Sequence, residues 1–215
     1  MRVAFRTLLL ACALSVASGE VVQANERAIA PILTTAEAKD AKSYAQPLLA
    51  RVTHVDIDLD VDFSTKKLSG LAVMDVQAAP GATSIVLDSL DLDIAWVRDD
   101  KGRDLQWSLG ASDPELGAPL TVKLAGARKI FVRYASRPGA RALQWLDPSL
   151  TAGKRKPYLF SQGQDINNRS WVPTQDSPGI RQTWSARIVV PADLTAGMSG
   201  ERLHPAGEPA GAGQR

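Results

Sequence analysis

One amide-rich stretch, residues 157–178, holds the side chains of this sequence that are best suited to bind a ligand. It reads PYLFSQGQDINNRSWVPTQDSP. Its amides are Gln162, Gln164, Asn167, Asn168 and Gln175. Because side-chain amides carry both donors and acceptors, they suit the binding of a peptide backbone or an amine. The same groups could instead bond to one another and pin an irregular loop, since buried polar groups need partners. Composition alone favours the structural role and leaves the binding role open.

The sequence offers few groups for metal or nucleophilic catalysis. Neither histidine, His54 or His204, belongs to the H-E-x-x-H motif that holds catalytic zinc on a helix. No G-x-S-x-G turn, phosphate-binding loop or dinucleotide fingerprint occurs. The one cysteine, Cys12, lies in an N-terminal apolar segment, so the mature chain is expected to lack thiol chemistry. We therefore expect no catalytic residue, no metal ligand and no cofactor in this chain.

Two further patterns resemble ligand sites and have simpler structural explanations. Aspartates alternate with apolar residues between positions 55 and 63, but a calcium site needs oxygens that converge from a turn. An extended strand spreads its side chains, so we interpret the aspartates as one solvated strand face. Tryptophans could stack on sugar rings, although each is more often a core residue. They are Trp96, Trp107, Trp145, Trp171 and Trp184.

Alternation of apolar and polar residues predicts that β-strands position these groups. The alternation begins near Val52 and runs to Phe63, as expected for a strand with one buried face. Similar short segments follow, separated by turn signals such as Ala79-Pro80-Gly81. They are Leu68–Gln77, Ser84–Leu90, Leu92–Arg98, Leu105–Leu109, Leu120–Leu124, Lys129–Ala135, Leu159–Gln162 and Thr183–Val190. Many short strands without a long helical pattern predict an all-β fold, an antiparallel sandwich or curved sheet.

Composition divides the chain into four parts. Residues 1–24 have a basic start, a short apolar stretch and small residues, which predicts a secretory signal peptide and a secreted or periplasmic location. Residues 25–50 form a lead-in segment in which a short helix could start at Thr34. Residues 51–200 form the β domain. Residues 201–215, rich in Pro, Gly and Ala, are expected to form a flexible tail.

The charge balance and hydropathy exclude two classes of partner. The net charge of +2 comes from 25 basic and 23 acidic side chains, whereas a dedicated nucleic-acid binder concentrates Lys and Arg on one face. No segment after the N-terminal one is long and apolar enough to span a membrane. We therefore expect neither a nucleic-acid partner nor a membrane span.

Ordered motifs from Ser43 to Gly200 resemble those of one enzyme family. They are Ser43-Tyr44-Ala45, His54, Asp62-Phe63, Ala142-Leu143-Gln144-Trp145-Leu146, Pro157-Tyr158-Leu159-Phe160-Ser161-Gln162-Gly163-Gln164, Arg169, Pro173, Gln175-Asp176-Ser177-Pro178 and Val190-Pro191 to Met198-Ser199. In these motifs the chain resembles the gluzincin aminopeptidases, peptidase family M1, in the branch that contains leukotriene A-4 hydrolase and bacterial aminopeptidases.

The resemblance implies a saddle-like, mixed β-sandwich, the N-terminal domain that covers one side of the family's active-site cleft. It implies peptide N-terminal hydrolysis as the activity of the parent enzyme. The residues implied to face the free amino end of a peptide substrate are Gln162, Gly163 and Gln164.

The resemblance also implies that Arg169, Gln175 and Asp176 hold the loop that carries those residues. The family's G-x-M-E-N strand, H-E-x-x-H helix and distant zinc-binding glutamate are absent from this sequence. Zinc is therefore expected in a catalytic domain outside this chain, which we expect to be a fragment that is inactive alone. It would be a truncated product or one piece of a split enzyme. The alternative is a stand-alone β-sandwich module that binds peptides or glycans.

Overall fold

The structure is a computed structural model that describes residues 39–215. The predicted signal peptide and the predicted helix start at Thr34 lie outside these residues. Between residues 39 and 49 the backbone forms turns and extended segments without a helix. In the described part of the chain, no helix has the length and apolar character needed to cross a bilayer.

Ten β-strands and three short 3-10 turns make up the described residues, which confirms the all-β prediction. The strands are β1 (Ala50–Asp62), β2 (Lys67–Ala78), β3 (Ser84–Ser89), β4 (Asp93–Asp99), β5 (Trp107–Leu109), β6 (Ala118–Lys123), β7 (Lys129–Ala135), β8 (Leu143–Leu146), β9 (Tyr158–Ser161) and β10 (Thr183–Val189). The 3-10 turns are Pro148–Leu150, Ala152–Lys154 and Asn168–Ser170. The sequence predicted every one of these strands except β8.

The strands form three sheets. A five-stranded sheet has the order β10-β1-β2-β7-β4, a three-stranded sheet has the order β3-β6-β5, and β8 pairs with β9. All neighbours are antiparallel except β1 and β10, which run parallel. The sheets are therefore mixed and antiparallel, as the resemblance implied.

One buried apolar cluster joins the two larger sheets. Val55, Ile57 and Leu59 of β1 contribute to it from the five-stranded sheet, and Ile85 and Leu120 contribute from the three-stranded sheet. Successive strand side chains point to opposite faces, so burying the apolar set of β1 leaves its aspartates on the outer face. The predicted solvated face of β1 is thus the direct consequence of its period.

The aspartates of β1 bind neighbouring side chains on that outer face. Asp58 pairs with Arg187 of β10 at 2.9 Å. Asp62, where β1 ends, accepts hydrogen bonds from the hydroxyls of Ser64 at 2.6 Å and Thr65 at 2.6 Å. These hydroxyls hold the pKa of the Asp62 carboxyl well below its ordinary value. Among residues 39–215, no group of three or more His, Cys, Asp or Glu side chains could hold a metal ion.

The tryptophans do not form a common sugar-stacking surface. Trp107, Trp145 and Trp171 pack against the apolar cluster. The guanidinium of Arg98 covers the ring of Trp96, with 4.5 Å between the Arg98 Cζ atom and the ring centre. This distribution favours packing roles for most of the tryptophans and weakens the hypothesis of a glycan-binding module.

The tail returns to the end of β10. The Val190 N–H donates to the Arg215 carbonyl at 2.9 Å, and the Arg215 N–H donates to the Val190 carbonyl at 3.0 Å. In addition, His204 lies 3.0 Å from Glu208 within the tail. The flexibility of residues 201–215 stays a prediction, since these contacts describe a position and not a motion.

Candidate functional site

The amide-rich stretch begins where the β8–β9 hairpin ends. The Gln162 N–H donates to the Ala142 carbonyl at 2.8 Å, which closes the hairpin ladder. The chain then turns sharply at Gly163, where an added Cβ would lie 2.1 Å from Asn168 Oδ1. Only glycine allows this approach, so the sequence Gln162-Gly163-Gln164 brings two exposed amide side chains onto one turn.

Backbone and amide groups within the stretch hold this turn in shape. The Gln164 N–H donates to Gln162 Oε1 at 3.0 Å, and the Asn167 N–H donates to the Gly163 carbonyl at 2.8 Å. Asn167 Nδ2 donates to the Gln164 carbonyl at 3.1 Å. The side-chain amide of Gln164 makes no hydrogen bond within residues 39–215. We call residues 162–164 the amide turn; the side chains of Gln162 and Gln164 are exposed.

Arg169 binds the amide-rich stretch to the rest of the domain. Its side chain is fully buried. It donates to the Leu116 carbonyl at 2.9 Å, to the Lys42 carbonyl at 2.7 Å and to the Asp176 carbonyl at 3.0 Å. Its Nε also donates to Asp176 Oδ2 at 3.3 Å. One guanidinium therefore joins the lead-in segment, the loop before β6 and the amide-rich stretch.

Asp88, at the end of β3, completes the buried cluster. Its carboxylate accepts hydrogen bonds from Ser43 Oγ at 2.6 Å, from the Tyr44 N–H at 2.7 Å and from the Asp176 N–H at 2.9 Å. Arg169 Nη2 lies 3.6 Å away. Burial raises the pKa of the Asp88 carboxyl, because desolvation outweighs these donors.

Asp176 links the cluster to the amide turn. Its Oδ1 accepts a hydrogen bond from Asn168 Nδ2 at 3.2 Å, and Asn168 Oδ1 accepts one from Trp171 Nε1 at 3.3 Å. Asn168 is the residue against which Gly163 packs. A continuous set of contacts therefore runs from the buried ions to the exposed turn.

Gln175 stabilises strands instead of facing solvent. Its Nε2 donates to the Ala50 carbonyl at 2.9 Å and to the Val86 carbonyl at 3.2 Å, while its Oε1 accepts from the Val52 N–H at 3.0 Å. The amide thus substitutes for a backbone ladder between the start of β1 and β3. The structure places Arg169, Gln175 and Asp176 in the buried network and the amide turn on the surface.

Sequence reasoning missed Asp88 and Asn168. Asp88 follows alternating residues on β3 and looks like an ordinary outward side chain, and no local signal marks its partners in the lead-in segment. In the sequence Asn168 is one amide among several. Its role depends on Gly163 and Asp176, which only the folded chain brings together.

A large apolar groove opens beside the hairpin. Its volume is about 840 Å³. It lies between the ends of β1 and β10, the β8–β9 hairpin and the loop of residues 193–198. Its lining includes Leu59, Phe63, Leu146, Tyr158 and Met198. At its rim Lys156 forms an ion pair with Asp193. No catalytic or metal-binding cluster accompanies it within residues 39–215, so the described residues do not fit the zinc site of a gluzincin.

Comparison with known proteins identifies the family. The model of the peptidase M1 N-terminal domain matches residues 51–208. Leukotriene A-4 hydrolase of Xenopus laevis is 34% identical over 170 residues, which are 76% of this chain and 28% of that protein. Leucine aminopeptidase 2 of Yarrowia lipolytica is 36% identical over 140 residues, 63% of this chain and 22% of that protein.

Solved structures agree. Native leukotriene A4 hydrolase of Saccharomyces cerevisiae superimposes with a TM-score of 0.66 at 26% identity, over 74% of this chain and 27% of that chain. An M1 zinc metallopeptidase of Deinococcus radiodurans has a TM-score of 0.62 at 21% identity, over 79% of this chain and 38% of that one, and so shares the fold. This chain spans 28% of the length of the Xenopus relative. These matches confirm the resemblance drawn from the ordered motifs: the chain belongs to the peptidase M1 N-terminal domain family.

Proposed function

We propose that this chain is the substrate-side domain of an exported zinc metallo-aminopeptidase and that its amide turn binds the free amino end of a peptide. The observation that carries the proposal is the exposed side-chain amide of Gln164, which makes no hydrogen bond within residues 39–215 and lies on a turn next to a buried ion cluster in a domain of the M1 family.

The two glutamines of the turn have different chemistry. Gln162 Oε1 already accepts from the Gln164 N–H, so Gln162 keeps its Nε2 donors for a ligand. Gln164 keeps both its oxygen and its nitrogen. An amide oxygen can accept from an ammonium group without adding a charge that would repel a substrate carboxylate. We therefore assign recognition of the amino group to Gln164, and the shaping of the turn to Gln162 and Gly163.

Zinc would come from a polypeptide that carries the H-E-x-x-H motif, and it would supply the activated water that attacks the peptide bond. The residues of this chain would hold and orient the amino end of the substrate beside it. The signal peptide that the sequence predicts in residues 1–24 is the basis for proposing a periplasmic or secreted location.

The test is a chimera. Residues 39–215, which include the contacts of Lys42, Ser43 and Tyr44 with the buried cluster, replace the corresponding stretch of the Xenopus laevis leukotriene A-4 hydrolase, and release of an N-terminal amino acid from a short peptide is measured. A hydrogen bond to a charged group contributes about 1.5–3 kcal/mol, so Gln164→Ala should lower kcat/KM by about 10- to 150-fold. Gln106→Ala, an exposed amide elsewhere in the domain, is the matched control and should change nothing.

Three results would count against the proposal. One is zinc-dependent peptide hydrolysis by the purified 215-residue chain alone, since that chain would then hold a catalytic site. Another is an active chimera in which Gln164→Ala matches the Gln106→Ala control. The third is a large loss of stability in Gln164→Ala with unchanged turnover, which would assign the turn to packing.

A further inference from the structure

Two neighbouring strands of the five-stranded sheet, β2 and β7, are apolar on both of their faces. On β2 the segment Leu71-Ala72-Val73-Met74 is apolar without interruption, and on β7 the segment Ile130-Phe131-Val132 is as well. Uninterrupted apolar segments are typical of strands that are buried on both sides, whereas a strand with one solvated face alternates, as β1 does. The two sequences therefore predict a covering layer on each side of the sheet.

The core of the domain covers only one of these sides in the part of the chain that the structure describes. Met74 and Ile130 belong to the apolar cluster and are 0% exposed. Val73 and Phe131 lie opposite each other on the other side, because successive strand residues point to opposite faces. This side is the outer face on which the aspartates of β1 also lie. Its half-buried apolar side chains, which are outside the core cluster, are Leu71, Val73, Trp96 and Phe131.

Charges on the middle of the outer face are separated by sign. Aspartates lie on β1 and β2, and basic residues lie on β7 and β4. The acidic set is Asp56, Asp58 and Asp75, and the basic set is Lys129, Arg133 and Arg98. Arg187 of β10 pairs with Asp58 at 2.9 Å and so neutralises one charge of the acidic set. The line between β2 and β7 thus separates an acidic half from a basic half, with apolar side chains on both sides of the line.

The strand register places these groups in rows that cross the sheet. One row runs from β1 to β4 through Asp56, Val73, Phe131 and Arg98. Its order is acidic, apolar, apolar, basic. In the next row Asp75 of β2 lies opposite Lys129 of β7, and the two form an ion pair at 2.8 Å. Reversing either row gives the complementary charges, which is the condition for a surface that binds a copy of itself.

A two-fold axis that runs parallel to the strands, between β2 and β7, satisfies both rows at once. It places the β2 side of one copy over the β7 side of the other and keeps the strands of the two sheets aligned, as in packed sheets. Each facing pair occurs twice, because a two-fold interface is isologous. The facing pairs, named from one copy to the other, are Asp56 with Arg98, Val73 with Phe131, and Asp75 with Lys129.

We infer that the outer face of the five-stranded sheet is the interface of a homodimer of this chain. The faces of four strands, about 4.8 Å apart and about 25 Å long, measure about 500 Å² per copy. The two copies together would bury about 1,000 Å², which is the size of a weak or transient interface. The expected dimer therefore dissociates at low concentration.

A second copy fits this face better than a partner of uniform charge. The acidic half would repel a nucleic acid or an anionic membrane, and the basic half would repel a strongly basic protein. The inference goes beyond the proposed function, because residues 162–164 do not belong to this sheet.

The experiment measures self-association of the chain without its predicted signal peptide, by sedimentation equilibrium from about 1 to about 200 µM, the range that suits a weak interface. Asp56→Arg and Arg98→Asp each place like charges on both occurrences of one facing pair. Both side chains lie at the surface, 49% and 42% exposed, so each variant should remain folded. The matched controls, Glu115→Arg and Arg155→Asp, reverse exposed charges outside this sheet.

We expect the wild-type chain and both controls to form a dimer whose fraction rises with concentration. Each charge-reversed variant alone should raise the dissociation constant by at least about 10-fold, because like charges then face each other at two places. An equimolar mixture of Asp56→Arg and Arg98→Asp should dimerise again, because each copy then supplies the charge that the other needs. A variant that had lost its fold could not be rescued in this way, so the mixture separates loss of the interface from loss of structure.

Two results would overturn the inference. A wild-type chain that remains monomeric up to about 200 µM would mean that a second copy does not cover the face and would leave the face to a different protein. A dimer that both charge-reversed variants form as well as the controls do would place self-association on another surface. No readout requires zinc or hydrolysis, so these outcomes are independent of the Gln164 test.

Discussion

Removing the guanidinium of Arg169 should lower the free energy of unfolding by more than removing any surface charge in the domain. Arg169→Met keeps a similar length and removes every donor of the side chain. It leaves Asp88 and Asp176 without their buried cation, and it leaves the Leu116 and Lys42 carbonyls without a partner. Breaking a buried ion pair from one side costs about 3–5 kcal/mol, because the remaining charge is buried and unpaired.

That loss is large compared with the stability of the domain. Globular domains unfold with about 5–15 kcal/mol, so Arg169→Met should remove about a fifth or more of the unfolding free energy. With a urea slope of about 2 kcal/mol/M, the midpoint should fall by about 1.5–2.5 M. Tryptophan fluorescence reports the transition, because Trp171 lies next to the cluster and donates to Asn168.

A control variant at an exposed ion pair tests whether the loss of stability comes from burial of the charges or from removal of any arginine. Arg137 binds Asp93 at 2.9 Å, but both side chains are about half exposed, at 55% and 47%. Surface pairs contribute about 0–1 kcal/mol, so Arg137→Met should move the midpoint by less than about 0.5 M. An Arg169→Met midpoint within the range of this control would refute the reasoning. The triple change Arg169→Met, Asp88→Asn and Asp176→Asn should recover part of the loss, because no buried charge is then uncompensated.

Two further predictions concern the turns. Gly163→Ala should lower the free energy of unfolding by about 1–3 kcal/mol, because the new methyl overlaps the side chain of Asn168, and the loss should be smaller in an Asn168→Ala background. The control Gly139→Ala meets nothing within 4 Å and should be neutral. Equal losses for the two alanine variants in urea unfolding would contradict the packing of Gly163 against Asn168. Asp62→Asn should lower the melting temperature at pH 7 but not at low pH. The pKa of Asp62 is lower in the folded state, so its contribution to folding stability is present above the ordinary pKa of 3.8 and is lost as the pH falls through the folded pKa. A melting-temperature difference that persists at low pH, or an equal effect of Asp60→Asn, would argue against the hydroxyl contacts.

The alternation of apolar and polar residues predicts most of the strands of the fold. In β1 the alternation of Val55, Ile57 and Leu59 with aspartates predicts both the strand and its buried face, because the side-chain period of a strand is two. The same signal located the other longer strands within a few residues. It did not reveal β8, although β5 and β9 are as short; β8 is a strand because it pairs with β9 across the intervening loop.

The amide-rich stretch shows where local reasoning ends. Its composition predicts a polar network, and the family resemblance implies a binding role for Gln164 and a structural role for Arg169. Composition does not show which of these groups are buried. That division depends on Asp88 and the lead-in segment, which are distant in sequence and reach Arg169 only through the packing of β3 beneath the stretch.

The sequence by itself determined every β-strand except β8, the absence of an H-E-x-x-H motif and the M1 kinship, because each is written in neighbouring residues or in ordered motifs. Tertiary structure alone decided that Arg169 is fully buried, that Gly163 packs against Asn168, and that β10 is the outermost strand of its sheet among residues 39–215, beside an apolar groove. The physical reason is that burial and pairing are properties of surfaces brought together by folding. A residue's type and its neighbours set which face it prefers, while the partner that covers that face comes from elsewhere in the chain.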